Sequence, residues 1–266
     1  MTDPAIDRSI STFQPTAVFC DSVSEVDGII EAIGTLDGKN KIVAAFYDGP
    51  GWTRFKPWET MFLLLQGGSR RARQQILNWL PDLDRARVLE VGIGDGANLP
   101  LLPSGWDIHG IDIARSRLVD CLQQHAFMGH RLAWAQAESL PYDNAVFDAT
   151  YSIGGFNYFG DPEKALREMR RVTKPGGTII VADEVPWLPR CGIGNLLGVP
   201  KIDEYWMRAL GLDRDFAAFV VRQRLDVGQL FRRVCPESRL HAIWHGLGYC
   251  MVDLVQNETD PEGVSR

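Results

Sequence analysis

The sequence has no apolar run of the roughly 18 residues that a helical membrane span needs, although this leaves peripheral contact with lipid open. It has no excess of basic charge. Lys and Arg number 28 against 34 Asp and Glu, a formal net charge of -6, so the basic field behind non-specific nucleic-acid binding is missing. Its five cysteines (Cys20, Cys121, Cys191, Cys235, Cys250) are scattered, odd in number and include no Cys-x-x-Cys pair. That argues against a disulfide framework and a zinc site and points to a reducing, cytoplasmic setting. No His/Asp/Glu cluster has metal-ligand spacing, and no metal is expected. Met1 to Ser11 is polar and acidic, unlike a secretory leader. There is no internal repeat and no low-complexity tract.

What is present suits a packed globular chain. The 266 residues are 45% apolar and 23% charged, enough for one large domain with a substantial cap. The most informative run is Val88-Leu89-Glu90-Val91-Gly92-Ile93-Gly94-Asp95-Gly96. An apolar strand here ends at an acid and three alternating glycines, which let backbone approach a bound group closely.

Around it, strand and helix patterns alternate. Strands are expected at Arg87–Val91, Trp106–Ile111, Leu132–Ala135, Ala145–Ser152 and Thr178–Ala182. Helices are expected at Ser69–Trp79, Ala114–His125 and from Asp161, where a cap, Pro162 and Glu163 stand in the preferred order. Arg70, Arg71 and Arg73 read as a solvated face of the first of these helices. A short helix is expected near Ala97, and Lys174-Pro175-Gly176-Gly177 reads as a sharp reversal. The spacing of Val26, Ile29, Ile30 and Ile33 predicts a further helix before Leu36. Trp52, Phe55, Trp58 and Phe62 follow at helical intervals, as core or as a cap over a pocket. Arg239–Trp244 and Gly248–Leu254 form a closing hairpin.

This rhythm predicts an α/β, Rossmann-like fold: a mainly parallel seven-stranded sheet with a terminal antiparallel hairpin and helices on both faces. Residues 1–68 are then an N-terminal arm and helical cap, 69–256 a cofactor-binding domain with an inserted lid at 184–224, and 257–266 a polar tail.

Asp112 closes the second strand, 20 positions after Gly92, where a carboxylate can accept hydrogen bonds from a ribose diol. Gly92-x-Gly94-x-x-Ala97 with Asp112 fits either a nicotinamide dinucleotide or S-adenosylmethionine. Three features favour the second. Glu90 would meet a pyrophosphate badly and a cationic amino-acid ligand well. Gln136-Ala137-Glu138-Ser139-Leu140-Pro141 follows the third strand, where a side chain and an N–H can read an adenine edge. The set Phe147-Asp148, Leu166-x-x-Met169 and Lys174-Pro175-Gly176-Gly177 completes the order.

With these motifs, residues 70 to 183 resemble the class I S-adenosylmethionine-dependent methyltransferases, and among them the ubiquinone/menaquinone-type small-molecule C-methyltransferases. The resemblance implies that Gly92 and Gly94 floor the cofactor and that Glu90 approaches its amino group. Asp112 would hold the ribose, Ile113 would lie beside the adenine, and Gln136 and the N–H of Ala137 would read the adenine edge. Ser152 would lie near the methionine portion and Tyr47 would close over the cofactor. Gln136 stands where the family often has Asp or Asn.

The expected activity is methyl transfer from S-adenosylmethionine to oxygen or carbon of a small apolar or aromatic metabolite. His241, His245 and Tyr158 are the candidate proton acceptors. Phe156, Tyr158, Phe159, Trp187, Tyr205, Trp206 and Trp244 could line an aromatic-tolerant pocket. A nicotinamide-dependent oxidoreductase stays open on glycine spacing, although no Tyr-x-x-x-Lys pair accompanies it. A non-catalytic module that binds S-adenosylmethionine is the other alternative. The acceptor's identity and the oligomeric state are not legible.

Overall fold

The computed structural model describes residues 18–20, 23–186 and 192–256. The expectations for the N-terminal arm before residue 18, the tail from 257 and Trp187 lie outside the described residues. The chain begins with β1 (Ser24–Val26), β2 (Ile29–Glu31), α1 (Gly38–Asp48), α2 (Pro50–Leu65) and α3 (Ser69–Leu77). The alternating part follows: β3 (Arg87–Val91), β4 (Asp107–Asp112), α4 (Arg115–Gln124), β5 (Leu132–Trp134), β6 (Phe147–Ile153), α5 (Pro162–Val172) and β7 (Thr173–Glu184). Then come α6 (Ile193–Leu196), α7 (Lys201–Ala209), α8 (Arg214–Arg222), α9 (Val227–Val234), β8 (Arg239–Ile243) and β9 (Gly248–Leu254).

The strands form one sheet in the order β1-β2-β5-β4-β3-β6-β7-β9-β8. From β5 to β7 every pair is parallel, and β9 and β8 add antiparallel at the end. This is the expected seven-stranded sheet, widened by the β1–β2 hairpin at the edge beside β5. Val88, Leu89, Val91, Ile179, Ile180 and Val181 are all fully buried, as a sheet covered on both faces requires.

Two expectations need correction here. The predicted helix over Val26–Leu36 begins instead as the β1–β2 hairpin. Asp27 (φ 54°) and Gly28 (φ 78°) are both left-handed, the geometry of a two-residue turn matched to strand twist. Adjacent Ile29 and Ile30 are both buried because they point to opposite faces of the sheet, each into a separate core cluster. The short helix expected near Ala97 starts later, as one 3-10 turn, Leu99–Leu101, which ends where Leu102, the residue before Pro103, turns extended.

The other elements follow local rules. Asp161 caps α5, its carboxylate accepting from Lys164 N at 3.0 Å. Arg170 and Arg171 lie in the last turn of α5, where the dipole favours cations. Ala165, Leu166, Met169 and Val172 carry its buried stripe onto the sheet. The Lys174–Gly177 reversal is a bulge at the start of β7. Pairing jumps there from Phe147↔Thr173 to Ala149↔Thr178, and Gly176 takes φ 79°.

A separate small core joins α1 to α8 through Val43, Phe46, Leu212, Phe216 and Val220. The rings of Phe46 and Phe216 stack at 3.9 Å. Residues of α1, α2, α7 and α8 face the carboxyl ends of the parallel strands across one cavity of about 440 Å³.

Candidate active site

The floor of this cavity is the turn after β3. Gly92 (φ 82°) and Gly94 (φ 57°) take left-handed backbone, and a Cβ at either would meet nothing within 4 Å. Their side-chain positions are therefore open space, which a ligand can enter. Gly92 N and Ile93 N both donate to Ile111 O at 2.9 Å, and this fixes the turn to the end of β4.

Two carboxylates border that floor. Glu90 pairs in register with Tyr151 of β6, whose hydroxyl donates to Glu90 Oε2 at 2.8 Å. Asn98 Nδ2 donates to Glu90 Oε1 at 2.5 Å. Burial pushes the Glu90 carboxyl up to about 7, against the pull of those two donors. Asp112 ends β4. Its Oδ2 accepts from Gly94 N at 2.9 Å and its Oδ1 from Ala114 N at 2.8 Å. Burial pushes Asp112 up to about 6 although both donors oppose it. Each oxygen retains a lone pair for another donor. Both carboxylates line the one cavity, as do Gly92, Gly94, Ile113 and Ala137.

Gln136 does not line it. Its Oε1 accepts from Asn40 Nδ2 at 2.9 Å, and Asn40, from α1, takes the lining position. Ser152 is buried beneath the strand end, its Oγ without a partner, while Ile153 and Gly154 face the cavity. Tyr47 lines the cavity from α1 and packs edge-on to Phe46 and tilted against Trp52.

The three candidate proton acceptors separate. Tyr158 lines the cavity and donates from its hydroxyl to Glu184 Oε1. Burial, then the Glu184 charge, holds Tyr158 well above the usual phenol range. His241 lies outside the cavity lining, stacked on Trp79 at 4.3 Å. His245 also lies outside it, in a left-handed turn (φ 57°) with Nδ1 3.0 Å from Gln66 Oε1. Among the aromatic candidates, Tyr158, Phe159 and Trp244 line the cavity, Phe156 is core, and Tyr205 and Trp206 are exposed.

Sequence reasoning missed several lining residues. Glu184 closes β7 as Glu90 and Asp112 mark β3 and β4, and the apolar run before it carried the same signal. Arg73 was read as solvated. It is half-buried instead, donating from Nη1 to Asn98 Oδ1 at 3.2 Å and pairing through Nη2 with Glu59 of α2 at 3.6 Å. Burial raises the Glu59 carboxyl, with Arg73 opposing. Lys56 of α2 reaches Asp95 of the glycine turn at 3.0 Å. No metal-ligating cluster occurs among the described residues.

These residues fit a sulfonium nucleoside. The glycine floor gives room, the two carboxylates could take its cationic and hydroxyl groups, and Ile113 and Ala137 give an apolar wall. A methyltransferase-domain family model matches residues 89–181. The demethylmenaquinone methyltransferase of Renibacterium salmoninarum is 31% identical over 150 residues, 56% of this chain and 61% of that protein. That of Thermus thermophilus is 30% identical over 153 residues, 56% of this chain and 67% of the relative. The matched segment spans 61–67% of the length of three of the curated relatives and 30–56% of five others. The solved structure of a proposed S-adenosyl-L-methionine-dependent methyltransferase from Methanococcus maripaludis matches over 87% of this chain and 99% of its own. At 19% identity and a TM-score of 0.50, it shows likeness of fold alone. Motif order, sheet topology, the paired carboxylates and these likenesses agree: the chain belongs to the class I S-adenosylmethionine-dependent methyltransferases, with S-adenosylmethionine as its cofactor.

Proposed function

We propose that the chain methylates oxygen or carbon of a small apolar or aromatic metabolite. The observation that carries this reading is the cavity itself. Its lining combines the glycine floor and the carboxylates Glu90 and Asp112 with a largely aromatic wall that includes Trp52, Phe55, Phe62 and Phe216, and with Glu184 and Tyr158 as a hydrogen-bonded polar pair. The names of the two demethylmenaquinone methyltransferases support a small acceptor.

When bound, S-adenosylmethionine would supply an activated methyl group, the C–S bonding pair going to sulfur. Asp112 would hold the ribose and Glu90 the amino-acid end, with Glu90 itself held by Asn98, which accepts from Arg73. Ile113 and Ala137 would flank the adenine, and Asn40 would make the polar edge contact that Gln136 was expected to make. The helices α1 and α2, with α7 and α8, would act as the lid. The aromatic wall excludes water and orients the acceptor; such positioning supplies roughly 7–11 kcal/mol in well-oriented systems. Glu184 accepts the proton that the acceptor oxygen or carbon loses, and Tyr158 orients its carboxylate. This role passes from His241 and His245, which lie outside the lining.

Methyl transfer from labelled cofactor to phenols, quinols and isoprenoid quinols tests the reading. A member of that panel is expected to turn over, and Glu184→Gln to lower kcat about a hundredfold with unchanged affinity for S-adenosylhomocysteine. Turnover confined to amines would overturn it, as would an undiminished kcat in Glu184→Gln.

A further inference from the structure

The cap helices leave apolar side chains in solvent where a monomer would bury them. Trp58, Met61 and Leu65 recur at helical spacing along one face of α2, and all three are exposed. Leu64 and Leu65 are 66% and 71% exposed. On α7, Ile202, Tyr205 and Trp206 form a second exposed stripe, preceded by Leu196 at the end of α6 and Leu197 just beyond it, 76% and 69% exposed. Both helices border the same cavity, α2 through Trp58 and Met61 and α7 through Met207. They are tied together where Arg54 Nε donates to Gly211 O at 3.3 Å. Exposed apolar surface this dense marks a contact site.

The charges beside these stripes that have no ion-pair partner are basic. Arg54, Arg70, Arg71, Lys201 and Arg208 are exposed, whereas Lys56 is paired with Asp95. The acids on the same helices are engaged: Glu59 with Arg73, Glu204 with Arg222, and Asp203 buried against Gly194 N and Asn195 N. A positive, apolar face on a chain of net charge -6 is a local arrangement and not a consequence of composition.

We infer that this face docks on an anionic lipid bilayer, with α2 and α7 lying in the headgroup region and the cavity mouth turned toward the lipid. Amphipathic helices bind such surfaces by burying their apolar face while Lys and Arg stems reach up to the headgroup charge. A second copy of the chain fits less well, because a twofold contact would set this cationic rim against itself. Among the described residues no helix is long and apolar enough to cross the bilayer, so the contact is interfacial. The inference rests on the surface and not on methyl transfer: a chain with no turnover would dock in the same way.

Flotation of the full chain with phosphatidylcholine vesicles, with and without phosphatidylglycerol, tests it. The chain is expected to float with the anionic vesicles only and to be released by high salt. Leu64→Ser with Leu65→Ser, and separately Arg70→Glu with Arg71→Glu, are expected to cut the floated fraction at least about tenfold. None of these four lines the cavity, so S-adenosylhomocysteine binding should persist and report folding. The arginine pair decides the matter if the leucine pair does not fold. Absence of flotation, equal flotation with neutral vesicles, or wild-type flotation of a folded variant pair overturns the inference. So does light scattering that finds a dimer dispersed by the leucine pair, which would assign the face to a second copy.

Discussion

Glu90 is an ionisable group kept out of water at a cost. Burial carries its carboxyl from 4.5 up to about 7, a differential cost to the ionised form of about 3 kcal/mol. The native state of the cofactor-free chain therefore binds more protons than the unfolded state between those two values. Its stability falls as pH rises through that window, and this group is least costly below it. Cofactor binding has the opposite preference, since an ammonium favours the ionised carboxylate. Glu90→Gln should thus raise the melting temperature of the cofactor-free chain above neutral pH while weakening S-adenosylhomocysteine. Thermal melts and calorimetry check both signs, and a variant unchanged in both would show that the carboxylate bears no such charge. Glu90, Asp112 and the glycines were legible because strand, acid and turn are consecutive in sequence. Arg73 was not, because its burial depends on α3 lying against Asn98 and Glu59. Gln136 was displaced by Asn40, 96 positions away, and His241 was claimed by Trp79; neither partner is local.

At the scale of elements, the turn after β3 separates strain from occupancy. A side chain at Gly94 costs about 1–2 kcal/mol for its left-handed backbone, and its Cβ would touch no protein atom within 4 Å. Gly94→Val should fold, with a melting temperature lower by about 2–8 °C, yet lose S-adenosylhomocysteine because the valine occupies the ligand's space. A variant that binds normally would place the ligand elsewhere. The alternating elements from β3 to β7 were readable because capping, periodicity and glycine turns agree within each short segment. The β1–β2 hairpin was not. Two buried neighbours, Ile29 and Ile30, look helical until the partner strand β5 is known, and the Asp27-Gly28 turn signal was outweighed by that spacing. The inserted segment that carries α7 and α8 was legible only as an interruption, since its core is made with α1.

For the whole molecule, sheet order places the chemistry. The ends of β4, β3, β6 and β7 stand side by side, so Asp112, Glu90, Gly154 and Glu184 form a row beneath the aromatic cap. A cofactor laid across β4 and β3 then points its reactive end toward β6 and β7, where Glu184 and Tyr158 wait. Asp112 and Glu90 are proposed to hold one sulfonium nucleoside between them. Calorimetric titration of S-adenosylhomocysteine into the wild-type chain and Asp112→Ala tests this most directly. One site per chain is expected, with affinity lowered about tenfold or more in the variant, as loss of a charge-assisted hydrogen bond requires. Equal affinity in both proteins, or binding of a nicotinamide dinucleotide with no response to S-adenosylhomocysteine, would contradict it.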